Sequence, residues 1–211
     1  MPNIQGVEKR ALVGEGVLWD NNKKICYWVD ILSNEVYIYD PATDTNRTIH
    51  TCQPVGTVVP RALGGLTVAL HNGFANINLE TEKMTPIGKD PEWDIPANRF
   101  NDGKCDAKGR LWVGSLAITT EPGKGMLWRV EPNGAAVKMD ENFHVSNGLG
   151  WSPDNKTFYF TDSGCRTIWA YDFDLEEGTI SNRRAFVEVA EGDGVPDGLC
   201  VDEDGYLYIV D

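Results

Sequence analysis

The sequence predicts an all-β protein of the β-propeller class, and three observations carry that expectation. Short runs rich in aromatic and β-branched residues recur along the chain, bounded by Gly, Asn, Asp and Pro. No segment of 11 or more residues holds an apolar period of 3.6 residues. The runs also repeat at a period in the forties, with about four strands to a unit, the pattern of a propeller. A sandwich of irregular hairpins would leave equivalent residues at one period unexplained.

In chain order the expected strands include KICYWVD (24–30), EVYIYD (35–40), LTVAL (66–70), RLWVGSL (110–116), MLWRV (126–130), TFYFTD (157–162), TIWAYDFD (167–174) and YLYIVD (206–211). The repeat is visible when EGVLWDNNKKICYWV (15–29) is set above NGLGWSPDNKTFYFT (147–161) without a gap. Gly16 then meets Gly148, Trp19 meets Trp151, Lys24 meets Lys156 and Tyr27 meets Tyr159. DGLCVDEDGYLYIVD (197–211), NDGKCDAKGRLWVGS (101–115) and the weaker TVVPRALGGLTVALH (57–71) join the same alignment. One column therefore holds Glu15, Thr57, Asn101, Asn147 and Asp197, at spacings of 42, 44, 46 and 50 residues. Trp19 and Trp151, being equivalent, are expected to pack between blades.

Equivalent positions of successive blades surround one central channel. The column is expected in the loop before each inner strand, where its oxygen-bearing side chains converge on the channel mouth. A single Asn or Asp before a strand is ordinarily a turn residue. Several in one column form a hard-oxygen set suited to a divalent cation, with Ca²⁺ the first choice.

Composition narrows the function. The chain has 211 residues, read as one domain, and a net charge of −13, which argues against nucleic acid as a partner. It lacks an apolar run of the ~18 residues that would suggest a membrane span. The opening MPNIQGVEKRALVGEG lacks the pattern of a signal peptide. Five cysteines without a CxxC suggest a reduced, cytoplasmic protein; four of them lie among apolar residues and read as small buried hydrophobes. His50, His71 and His144 are scattered, which leaves a zinc site of histidines or a Ser-His-Asp triad unsupported. ISNRRAF (180–186) reads as a solvated turn, and PEWDIPANRF (91–100) as a loop shaping the channel entrance. Asp102 falls off the column and reads as supporting its loop.

The segments GEGVLWD, NRFNDGKCDAKGRLWVGSLA, SNGLGWSPDNKTFYFTDS and VPDGLCVDEDGYLYIVD, in this order and spacing, resemble the senescence marker protein / gluconolactonase / regucalcin family over nearly the whole chain. The resemblance implies a six-bladed propeller with one divalent metal in its channel: Ca²⁺ first, Zn²⁺ or another divalent ion as alternatives. It implies Glu15, Asn147 and Asp197 as metal ligands, and Arg99 and Asn101 as contacts to a sugar lactone. The implied reaction is lactone hydrolysis, with the metal polarising the carbonyl and Asp197 transferring protons. Two departures stand out. Ile118 and Thr119 occupy a stretch where vertebrate regucalcins carry acidic residues, the first acid here being Glu121. The sequence also stops at Asp211, inside its fifth unit, so a fragment lacking about one and a half blades is expected, with a strand near GVEKRALV (6–13) left without the blade it would join. Two other functions fit the same site: a non-catalytic calcium-binding propeller, or a hydrolase of another ester.

Overall fold

Aspartates punctuate this chain. Asp20, Asp40, Asp106, Asp174 and Asp202 each accept a hydrogen bond from a backbone N–H two residues on, at 2.9–3.0 Å. Such side-chain turns end one strand and start the next. Between them the aromatic and β-branched runs form strands. The protein is described here by a computed structural model, which covers residues 9–210.

Four antiparallel four-stranded sheets and one two-stranded sheet follow in sequence order. The first holds β1 (Gly14–Asp20), β2 (Ile25–Asp30), β3 (Glu35–Asp40) and β4 (Thr45–His50). The second holds β5 (Val55–Pro60), β6 (Leu66–Leu70), β7 (Gly73–Ile77) and β8 (Met84–Ile87). The third holds β9 (Asn98–Cys105), β10 (Leu111–Ala117), β11 (Gly125–Val130) and β12 (Ala136–Phe143). The fourth holds β13 (Ser146–Trp151), β14 (Thr157–Asp162), β15 (Thr167–Asp174) and β16 (Thr179–Glu188). The last pairs β17 (Leu199–Val201) with β18 (Leu207–Ile209). The first strands of neighbouring sheets pack together, β1 on β5, β5 on β9, β9 on β13 and β13 on β17. This succession is propeller-like, with the first strand of every sheet innermost.

The core lies between sheets rather than inside one. Tyr27, Val29 and Ile49 of the first sheet meet Val55, Leu66 and Val68 of the second. Val59 and Phe74 meet Phe100, Val113 and Trp128 of the third. Trp112, Leu127 and Phe143 meet Phe158, Phe160 and Tyr171 of the fourth. Trp112 is fully buried, with Phe158 and Phe173 at ring-centroid distances of 5.1 and 5.7 Å and Trp151 at 6.2 Å. Its indole N–H donates to Asp106 Oδ2 (2.9 Å), which also accepts from Arg110 Nε (2.7 Å). Arg110 Nη2 reaches the Leu175 carbonyl (2.6 Å) and ties the third sheet to the fourth.

Five expectations are corrected. The column residues Glu15, Thr57, Asn101 and Asn147 lie within the inner strands, not in loops before them; only Asp197 precedes its strand. Cys52, Cys105, Cys165 and Cys200 are exposed and Cys26 is half-buried. Cys52 adopts a left-handed turn (φ 61°) and Cys165 lies in the 3₁₀ turn Ser163–Cys165, so neither has a strand interior to enter. Trp19 is 49% exposed, while its equivalent Trp151 packs into the core. Residues 180–186 belong to β16, where the Arg183 guanidinium lies over the rings of Trp169 and Phe143 at 4.0 and 4.5 Å. Of the strand expected at 6–13, residues 6–8 lie outside the described residues, as does the whole first half (1–8) of the segment MPNIQGVEKRALVGEG; residues 9–13 form no strand. The Leu12 and Val13 N–H groups donate instead to the Asp30 carboxylate, at 2.8 and 3.1 Å.

Candidate functional site

The inner strands are interrupted where the column falls. In β1 the register breaks between Glu15 and Leu18, and in β5 between Val55 and Thr57. In β9 the residues between Phe100 and Gly103 oppose one residue of β10, and in β13 those between Ser146 and Leu149 oppose one residue of β14. Each is a β-bulge, an inserted residue that bends the strand and re-aims its side chains. Glycines then let the inner strands approach. A methyl on Gly148 would overlap the Leu199 nitrogen and lie 2.7 Å from the Asp197 carbonyl oxygen; one on Gly56 would lie 2.6 Å from the Asn101 carbonyl oxygen. The Gly148 N–H uses that closeness to donate to Asp197 O at 3.0 Å.

A line of hydrogen bonds crosses the gathered strands. Arg99 Nη1 donates to Asn101 Oδ1 at 2.7 Å. Asn101 Nδ2 donates to Asn147 Oδ1 at 2.8 Å and to the Ser146 carbonyl at 2.7 Å. Asn147 Nδ2 donates to Ser163 Oγ at 2.8 Å, and Ser163 Oγ to the Pro196 carbonyl at 2.6 Å, one residue before Asp197. Asn101 and Asn147 are buried. Beside this line lies a cavity of about 700 Å³ whose wall includes Glu15, Asp102, Lys104 and Asp197. Lys104 Nζ spans to the Leu199 carbonyl at 2.5 Å.

The electrostatics are those of a site short of positive charge. Burial, then the charges of Asp197 and Asp102, push the Glu15 carboxyl up to about 7, against the opposing pull of the Gly16 N–H and Arg99. Burial raises the carboxyls of Asp197 and Asp102, the latter partly offset by Lys104. Burial lowers the Arg99 guanidinium, which the facing Glu15 counters. Asp197 Oδ1 is buried and accepts no hydrogen bond. A buried carboxylate oxygen without a partner is costly unless a cation meets it. Among the described residues no three His, Cys, Asp or Glu side chains gather closely enough to hold a metal by themselves. A set built on Glu15 and Asp197 would need further oxygen donors of another kind, such as an amide, a hydroxyl or a backbone carbonyl.

The predicted residues thus fall into two groups. Arg99, Asn101 and Asn147 are joined directly, while Glu15 and Asp197 share the cavity wall and each other's field. Thr57 is drawn off: it is buried and its hydroxyl donates to the Gly103 carbonyl at 2.9 Å. Asp102 lies in the bulge of β9 rather than in a loop, where its carboxylate accepts from the Gly103 N–H at 2.8 Å; it also lines the cavity, which its offset from the column concealed. Ser163 was missed; the only hint was its place directly after the TFYFTD strand of the same repeat.

The family model described as the SMP-30/Gluconolactonase/LRE-like region matches residues 13–210. The chain belongs to this family. Regucalcin of Xenopus laevis is 35% identical over 208 residues, covering 96% of this chain and 69% of that protein. A Bacillus subtilis protein named "Putative sugar lactone lactonase YvrE" is 33% identical over 209 residues, covering 99% of this chain and 71% of its own. The crystal structure of a calcium-binding protein, regucalcin, from Agrobacterium tumefaciens superposes with a TM-score of 0.90 over 96% of this chain and 68% of that one, at 24% identity. That likeness shows the all-β propeller-like fold. Family membership supports lactone hydrolysis as the general class of chemistry.

Proposed function

We propose that this protein is a divalent-metal-dependent hydrolase opening sugar lactones, within a six-bladed ring in the cytoplasm. The observation that carries this reading is the buried, unpartnered Asp197 Oδ1, in a largely apolar cavity whose wall also holds the Glu15 and Asp102 carboxylates, beside the Arg99–Asn101–Asn147 line. Glu15, Asn147 and Asp197 would hold the ion, Ca²⁺ by preference for oxygen donors, with Zn²⁺ or another divalent ion as alternatives. When bound, such an ion supplies Lewis-acid polarisation of a carbonyl. The protein's own side chains do the rest. Arg99 grips the substrate hydroxyls with its rigid fork of donors. Asn101, anchored on both sides, orients the ester next to the ion site. Asp197 takes the proton of the attacking water at its carboxylate and returns it to the departing alkoxide.

A pH-indicator assay on a panel of aldonolactones, with and without chelator, tests this. Turnover is expected to vanish with chelator, to return with Ca²⁺ or another divalent ion, and to fall at least ~100-fold in Asp197→Ala. Turnover indifferent to both chelator and Asp197→Ala would sink the reading. A second reading, ion binding without turnover, is favoured by Ile118 and Thr119, which stand where vertebrate regucalcins carry acidic residues. Tight Ca²⁺ binding with no hydrolysis of any lactone or other ester would select it.

A further inference from the structure

Each member of the hydrogen-bonded line could in principle face either way, since an amide presents a donor on one side and an acceptor on the other. The two ends remove that freedom. At one end stands the Pro196 carbonyl, which only accepts; Ser163 Oγ lies 2.6 Å from it and must spend its single proton there. The hydroxyl can then only accept from Asn147, so the Asn147 atom 2.8 Å away must be the donor Nδ2. Its Oδ1 is thereby turned to the opposite side. At the other end stands the Arg99 guanidinium, which only donates, 2.7 Å from Asn101 Oδ1. Asn101 Nδ2 must then face Ser146 O and Asn147 Oδ1, as it does. The two constraints agree on one polarity. Asn147 Oδ1 receives a single hydrogen bond along this line, and a carbonyl oxygen has two lone pairs.

Ser163 is itself held in place. It is buried, its N–H donates to the Val145 carbonyl at 3.0 Å, and its carbonyl accepts from the Arg166 N–H at 3.1 Å. Its hydroxyl joins the fourth sheet to the backbone entering Asp197, whose N–H and carbonyl are pinned by Val210 O (2.8 Å) and the Gly148 N–H (3.0 Å). One hydroxyl therefore touches the mounting of both Asn147 and Asp197.

We propose that Ser163 is a positioning residue that fixes the Asn147 amide with its oxygen toward the cation site and couples that orientation to the Asp197 segment. The ion-binding half of this inference rests on the metal-dependent reading above; the orientation half does not. Without the hydroxyl, Asn147 Nδ2 loses its acceptor and only the bond from Asn101 Nδ2 still holds the oxygen in place, so the amide is looser and samples a flipped state that would present N–H groups to a cation.

The test uses Ser163→Ala and the conservative Ser163→Thr, read two ways. The side-chain amide resonances of Asn147, assigned by their loss in Asn147→Asp, report orientation in the ion-free protein. Calorimetric titration with Ca²⁺ reports affinity. In Ser163→Ala the Asn147 amide pair is expected to shift and exchange faster, and the Ca²⁺ Kd to rise at least tenfold, with Ser163→Thr restoring both. An Asn147 amide pair or a Ca²⁺ Kd unchanged in a folded Ser163→Ala overturns the inference. Should the unaltered protein bind neither Ca²⁺, Mn²⁺ nor Zn²⁺, the metal-dependent reading fails by itself, and the amide resonances alone decide what Ser163 does.

Discussion

Trp19 and Trp151 occupy the same place in the first and fourth sheets, yet their surroundings differ. Trp151 lies against Trp112, Phe158 and Phe173, with centroids 5.2–6.2 Å away. Trp19 is 49% exposed, and Val17 on the same strand is 72% exposed. The partner that distinguishes them is Trp112, which comes from the preceding sheet. Among the described residues, β1 has no such sheet before it. A repeat dictates residue identity, but burial is conferred by the neighbour.

That contrast can be broken or sharpened by substitution. The largest effect is expected for Trp112→Ala, which empties the seam between the third and fourth sheets and removes a hydrogen bond to Asp106. Large-to-small changes of buried aromatics cost about 3–5 kcal/mol. Denaturant unfolding should show a loss in that range, and a loss below ~1.5 kcal/mol would mean the seam is not where stability resides.

The intermediate case concerns a feature the two sheets share. Asp30 and Asp162 each lie fifteen residues after their column residue, and each carboxylate accepts from the two backbone N–H groups leading into its inner strand. Burial would raise the Asp30 carboxyl, but hydrogen bonds from Ser33 and from the Leu12 and Val13 N–H groups outweigh it and hold it below 3.8. A depressed folded pKa means that Asp30 contributes fully above the unfolded value and loses its contribution as pH falls through the folded one. Unfolding free energy should therefore drop below about pH 4, and Asp30→Asn should be less stable at neutral pH but flatter in acid. Parallel acid profiles for the two proteins would remove Asp30 from the account.

The smallest effect is expected for Trp19→Ser. Surface substitutions usually stay within about 0.5 kcal/mol. A cost matching that of Trp151→Ala, measured by the same unfolding curve, would show that Trp19 is covered in solution and erase the contrast.

The strands were legible because aromatic and β-branched runs between Asp and Gly turns have few other uses. The column was legible because five repeats put Glu15, Thr57, Asn101, Asn147 and Asp197 in register. What was not legible depends on partners far away in sequence. The bulges at Asn101 and Asn147 are defined by the strands opposite them, so the residues read as loop are strand. Asp102 enters the cavity wall because its bulge turns it there, and Thr57 leaves the candidate set because Gly103 of the next sheet offers a carbonyl. Ser163 becomes visible only when the 3₁₀ turn after β14 brings it to Asn147 and Pro196 together.

The bulges also separate what the protein is from what it can become. An extra residue is absorbed locally, so Glu15, Thr57 and Asn147 sit at or beside the same interrupted step of their sheets while the flanking ladders run on unchanged. A lineage can therefore exchange the residue at such a step one mutation at a time, trying a carboxylate, an amide or a hydroxyl, without renegotiating the architecture. Diversity of ligands on one inherited frame is what that arrangement makes easy.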